Sequence, residues 1–308
     1  MKRFLHLGLA AMLVLSAMAI TGCTPEDQED TVITPYYSFE SVDDVYEIME
    51  RATISTMMEN HDSLYVTQSV EYENSGKESV TAEFLKQEDG GFAVHETMQD
   101  EEGLQSELLT YFGGDKDRLS YSISEYQGNA LEIRTEDMQN EFTEQNWMSI
   151  SDDSTVELGE QSLTVDTQSI WLTITGEDGT VTEAQYTVSL ETGELVKGYE
   201  EVSSSDGNYT ILFTIDYDCV IYIDETNLES LYTGEDVHQL TLIINHEDNT
   251  TDVIKADVAD DVGVVLDEEG FTAFTDSDMT EQYQQPVTSL PSYLGRFSDD
   301  TVLYVEAM

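Results

Sequence analysis

The amino-acid sequence predicts a mainly β (α+β) protein. One N-terminal amphipathic helix leads into a long antiparallel meander, strongly curved and half-barrel-like, and a small β-rich domain follows at the C-terminus. Three observations carry this expectation. The apolar pattern changes from a period near 3.6 to a period of two after Asn60. The connectors are turn sequences such as Asn74-Ser75-Gly76, Asp89-Gly90-Gly91 and Glu177-Asp178-Gly179. No helical stretch long enough for a crossover separates the strands, so parallel βαβ units are not expected.

The elements follow in order. Ser41 suits a helix N-cap, with Asp43 and Asp44 in the first turn, where acidic side chains favour the helix dipole. Val42, Val45, Met49 and Ala52 recur at spacings of three and four, and the stripe runs on to Met57 and Met58, which predicts one helix over 41–60. Alternation then marks strands from Leu64 to Tyr72, through Phe92–Met98, Leu119–Ile123, Ala184–Leu190 and Tyr209–Tyr217, to a buried strand over Cys219–Ile223. Residues 136–142 and 224–232 each suggest a short helix. Leu240–Ile244 and Asp252–Asp257 read as a hairpin near the start of the C-terminal unit. The expected organisation is therefore 1–22 as an export signal, 23–40 as an acidic tether, 41–233 as helix plus meander, and 234–308 as the small domain.

The N-terminus supports the first of these boundaries. Lys2 and Arg3 precede an apolar stretch, Phe4–Ile20, which is short for a membrane span of about 20 residues but has the form of a secretory signal. It closes on Ile20-Thr21-Gly22-Cys23, which resembles the bacterial lipobox. That resemblance implies cleavage after Gly22, a diacylglyceryl group on the Cys23 thiol, and a membrane partner reached through that lipid. The protein would then sit lipid-anchored on the extracellular side of the cytoplasmic membrane, as a cell-surface lipoprotein.

Composition narrows the function classes. The chain of 308 residues has 65 Asp and Glu against 11 Lys and Arg, a formal net charge of −54. Nucleic acid is excluded as a partner, since phosphate recognition needs clustered cations. Anionic headgroups and wall polymers are repelled by the same field. Solubility accounts for the acidity, with weak diffuse cation binding as the alternative. Cys23 and Cys219 are the two cysteines, and Cys219 reads as a packed, inert thiol. His61, His95, His238 and His246 show no zinc spacing, and neither Asp115-Lys116-Asp117 nor the 247–252 turn has a calcium-loop ladder. No nucleophile elbow, phosphate loop or dinucleotide fingerprint appears. The expectation is a non-enzyme without metal or cofactor.

Two further resemblances bear on function. The helix-then-meander order of residues 41–223 resembles the lipoprotein-carrier architecture of the LolA/LppX type. This implies a curved sheet whose concave, apolar face holds a lipid-like ligand, with Met49, Met57 and Met58 lining the cavity. Methionines packed on a closed core are the structural alternative. The run Phe271–Asp276, then Tyr283, then Asp300–Val305 is similar to small β-repeat modules of Gram-positive surface proteins, without their Gly-Trp pair and closing Trp. It implies the alternative function, a surface-interaction, adhesion or scaffold module that contacts an envelope protein through 234–308. The lipobox gives a direct test. Labelled palmitate is expected on the protein in cells and absent from Cys23→Ala; label persisting on that variant would contradict the assignment.

Overall fold

The computed structural model describes Phe39 and residues 41–307, apart from 74–75, 125–127, 135–139, 141, 145, 149, 152, 206, 247–249, 268–270 and 284–291. The signal at 1–22, with Ile20, Thr21, Gly22, and Cys23 beyond it, lies outside the described residues. So does the tether except for Phe39, and most of the helix expected at 136–142.

Two helices, α1 (Val42–Arg51) and α2 (Ile54–Asn60), stand where one was expected. The correction lies at Ala52-Thr53. Thr53 is extended (φ −76°, ψ 147°), and its hydroxyl accepts from the Thr56 N–H at 3.3 Å, so it ends one helix and caps the next. Eleven strands follow: β1 (Ser63–Tyr72), β2 (Gly76–Lys86), β3 (Phe92–Asp100), β4 (Gly103–Phe112), β5 (Leu119–Ser124), β6 (Gly128–Arg134), β7 (Thr155–Leu163), β8 (Thr167–Thr175), β9 (Val181–Ser189), β10 (Leu195–Ser204) and β11 (Gly207–Tyr217). After a 3₁₀ turn at Glu229–Leu231 come β12 (Val237–Asn245), β13 (Thr251–Ala259), β14 (Gly263–Asp267), β15 (Phe271–Phe274), β16 (Tyr293–Gly295) and β17 (Thr301–Ala307).

The first eleven strands form two runs of sequential neighbours, β1–β6 and β7–β11, joined where β1 lies beside β11, within a thirteen-stranded sheet ordered β16-β14-β6-β5-β4-β3-β2-β1-β11-β10-β9-β8-β7. A second sheet has the order β13-β12-β17-β15. Pairing is not antiparallel throughout, which corrects the expectation: β14 runs parallel to β6, and β17 parallel to β12. Both parallel strands come from the segment after residue 234, which therefore contributes to both sheets.

Contacts divide the chain into two compact units. The first comprises α1, the 68–78 hairpin end and residues 146–215. Its core face carries Ile170, Leu172, Tyr186, Val188, Phe213 and their neighbours at alternate strand positions, the arrangement that period-two patterning dictates. Gly198 sits between Tyr186 and Phe213 in register, and a Cβ there would come within 2.3 Å of the Phe213 ring. Glycine at that point lets β10 pass a large core aromatic. Two residues on, Glu200 is wholly buried, and Tyr186 donates its hydroxyl to it at 2.6 Å.

The second unit holds α2, residues 79–145 and everything from Asp216 onward. Its main core joins one face of β3–β6, including Leu109, Tyr121 and Leu131, to the inner face of the four-stranded sheet, including Leu242, Ile254 and Leu303. Tyr121 spans that core and donates its hydroxyl to the Asp257 carbonyl at 2.8 Å. The strand expected at Cys219–Ile223 is a second correction. The segment belongs to no strand: Ile223 is buried while Val220 and Tyr222 are exposed. Its alternation reflects one wall of core beneath a backbone that joins no ladder, although the Cys219 carbonyl accepts from the Ser63 hydroxyl at 2.7 Å. Among the described residues no helix is long and apolar enough to cross a membrane.

Candidate functional site

Within the second unit, two glycine turns are tied together by one carboxylate. In the 87–91 turn, Gly90 takes φ +93°, a left-handed conformation suited to a residue without Cβ. Asp89 accepts from the Gly91 N–H at 3.1 Å and, across the gap, from the Asp115 N–H at 2.8 Å. Those two backbone donors hold the Asp89 carboxyl below its ordinary range. The turns meet so closely that a Cβ on Gly91 would lie 2.5 Å from the Phe112 carbonyl oxygen, and one on Gly114 would lie 2.2 Å from Asp89. Asp117 then accepts from the Gly113 N–H at 2.7 Å, which closes the second turn before β5.

These turns, the end of β2 and α2 enclose an open cavity of about 630 Å³. That falls within the range of roughly 300–1,000 Å³ over which small-molecule sites are found. Met58, Phe92 and Phe112 supply its apolar floor, and Lys86, Arg118, Glu59 and Asp117 supply its charge. Phe92 stacks on Phe112 (centroids 4.7 Å apart), Phe112 on Phe142 (5.0 Å), and the Arg134 guanidinium lies 5.7 Å over Phe142. This ladder fixes the floor, because offset aromatic pairs add to the stabilisation that burial alone provides.

Arg118 adopts φ +70°, a conformation that costs a side-chain-bearing residue of order 1–3 kcal/mol. Its Nη1 donates to Asp252 at 2.7 Å, and His246 Nε2 lies 3.3 Å from the same Asp252 oxygen. Burial pushes the Asp252 carboxyl up, but the Arg118 hydrogen bond and charge outweigh it, with His246 adding to them, and the net direction is down. Lys86 is less enclosed, with Nζ 3.2 Å from the Glu59 carbonyl and 3.6 Å from Asp62.

Of the three methionines expected at a cavity, Met58 is in this wall, Met57 is buried in α2 outside it, and Met49 is half-buried on α1 in the other unit. Sequence reasoning missed Lys86, Arg118, Phe92 and Phe112. A signal was present, since Lys86, Lys116, Arg118 and Arg134 put four of the chain's 11 basic residues within one short window. It also missed a buried polar knot on the other face of the same strands. His95 Nδ1 lies 3.0 Å from Glu83 and Nε2 lies 3.1 Å from Glu107, whose second oxygen accepts from Asn227 at 2.9 Å. This knot ties β2, β3 and β4 to the 224–232 connection. Cys219 is half-buried, with Sγ 3.7 Å from the Asp216 carbonyl. Among the described residues no three His, Cys, Asp or Glu side chains are placed to hold a metal ion.

No protein-family model matches the chain, and no curated protein matches it. Several solved structures are similar at low identity. MucB aligns at 11% identity and a TM-score of 0.35, over 71% of this chain and 94% of its own. The MucA/MucB complex of Pseudomonas aeruginosa aligns at 13% and 0.33, over 69% and 73%. A LolA superfamily protein from Nitrosomonas europaea aligns at 9% and 0.23, over 57% and 97%. Likenesses at these scores carry no argument, so the site is read from its own geometry.

The Arg118–Asp252 pair predicts an acid-sensitive contribution to stability. A folded carboxyl held below its unfolded value near 3.9 stabilises above that value, and the contribution is lost as pH falls through the folded value. Asp252→Asn should therefore lower stability at pH 7 by about 1 kcal/mol, and the gap to the parent chain should close as the pH is taken below about 4. Urea midpoints across a pH series measure this; a gap that is constant with pH would contradict it.

Proposed function

We propose that this chain is a non-enzymatic binding protein, held at the outer face of the cytoplasmic membrane by lipid on Cys23, and that the cavity beside Met58 takes a small apolar ligand. The observation that carries this reading is the open cavity of about 630 Å³ with Met58, Phe92 and Phe112 as its floor. Unbranched, polarizable methionine adapts to ligands of varied shape, and the stacked phenylalanines give it a rigid wall to press against. The helix and both turns come from the same compact unit, so the site does not depend on the placement of the other unit.

A second reading, a surface module contacting an envelope protein, is favoured by the outer face of the four-stranded sheet. Val253, Ile243, Tyr304 and Phe274 are cross-strand neighbours in one row over all four strands, and Val253 is 58% exposed. A contiguous apolar row that is partly exposed is the kind of patch that marks an interaction surface.

The cavity reading is tested on the whole mature chain, residues 23–308, with Cys23→Ser so that no detergent is needed. Dodecanol titrated calorimetrically should bind, and Met58→Trp, which fills the cavity, should weaken binding at least tenfold while thermal unfolding stays cooperative. Equal binding by a folded Met58→Trp chain would contradict the assignment.

A further inference from the structure

The charges in the cavity wall set a further property of its ligand. Over the whole chain acidic residues outnumber basic ones by 65 to 11, yet the cavity wall carries two of each, Lys86 and Arg118 against Glu59 and Asp117. Of the two acids, Glu59 stands exposed near the end of α2. Asp117 is turned to the Gly113 N–H and serves the turn. Arg118 commits only Nη1 to Asp252 and leaves Nε and Nη2 without a hydrogen-bond partner among the described residues. Lys86 Nζ reaches one carbonyl and the edge of Asp62, itself 92% exposed, and so keeps donor capacity for an incoming group.

Arg118 also occupies a backbone position that glycine or asparagine would adopt with less strain. Arg118 thus brings to the cavity lining a planar guanidinium, one of whose donors is committed to Asp252. Net charge on the surface repels anions at long range, but that field is screened over about 8 Å at physiological ionic strength. At the cavity wall the nearby groups therefore set the interaction: the remaining donors of Lys86 and Arg118, each also paired with a carboxylate outside the wall, against the exposed carboxylate of Glu59.

We infer that the cavity binds a single-chain amphiphile with an anionic head, the chain lying on Met58, Phe92 and Phe112 and the carboxylate or phosphate head accepting from Lys86 and Arg118. This rests on the reading of the cavity as an apolar-ligand site and adds the headgroup chemistry to it. The surface repulsion that excludes anionic polymers then acts as a filter, because only a headgroup small enough to enter the cavity meets the two cations.

The test uses the same mature Cys23→Ser chain with four probes: dodecanol, dodecanoate, dodecyl phosphate and inorganic phosphate. Dodecanoate and dodecyl phosphate should each bind about tenfold tighter than dodecanol, the factor that one added charge-assisted hydrogen bond supplies. Lys86→Gln, at an exposed position, should remove most of that advantage, read as the ratio of dodecanoate to dodecanol affinity on the same variant. Arg118→Lys keeps the charge and loses the fork, and should reduce the advantage by a smaller factor. Dodecanol binding equal to dodecanoate, or a preference unaffected by Lys86→Gln, overturns the headgroup assignment while leaving the apolar site standing. Failure of all three long-chain probes overturns the site itself. Inorganic phosphate binding as tightly as dodecyl phosphate overturns the amphiphile in favour of a plain anion site.

Discussion

Sixty-five carboxylates and 11 cations must be accommodated on a chain built almost entirely of strands, and this charge imbalance constrains every layer of the molecule. A strand offers a residue one of two faces, so a carboxylate either points to water or must find a donor in the core. The buried ones found donors. Glu200 takes the Tyr186 hydroxyl, and Glu107 takes His95 and the Asn227 amide. Each of these contacts also links chain segments: Tyr186 and Glu200 join β9 to β10, and the Glu107 knot joins three strands to the connection before β12. The acid excess is thus carried on wet faces, while its few buried members act as ties.

The scarcity of cations gives their positions unusual meaning. Arg118 is held on strained backbone just after the second glycine turn, and its partner Asp252 comes from β13 of the same unit. Asp89 locks those turns by accepting backbone N–H groups from both, which sets the distance across the cavity mouth. The stacked ladder of Phe92, Phe112 and Phe142 stiffens the floor, with Arg134 at its end. The stacked aromatic floor, the buried Met58 beside it and the Lys86 and Arg118 side chains of the lining are the features on which the proposed ligand rests.

Much of the architecture was legible in the sequence because period-two alternation and glycine turns report directly on strands and their reversals. The runs leading into β1, β3, β9 and β11, and the β12–β13 hairpin, fall where that pattern puts them. Three features were not legible, each for a physical reason. The break at Thr53 is hidden because Val45 and Ile48 before it, and Ile54 and Met57 after it, continue one apolar stripe. At Cys219–Ile223 alternation correctly reports which side faces core, but a side-chain pattern cannot say whether the backbone has a neighbouring strand. The parallel placement of β14 beside β6 depends on which strand edge is free after folding, and no local signal encodes that. The cavity shares this last difficulty. Its wall comes from 55–59, 86–92, 112–118 and 140–143, so only Met58, on an apolar helix stripe, drew notice.

The proposed function turns on ligand entry beside Met58. The most direct measurement is the methyl spectrum of the mature chain carrying isotope-labelled methionine, followed as dodecanoate is added. The Met58 methyl resonance should move in proportion to occupancy while that of Met49, on α1 and outside the cavity wall, stays in place. A titration in which Met49 moves and Met58 does not would contradict it.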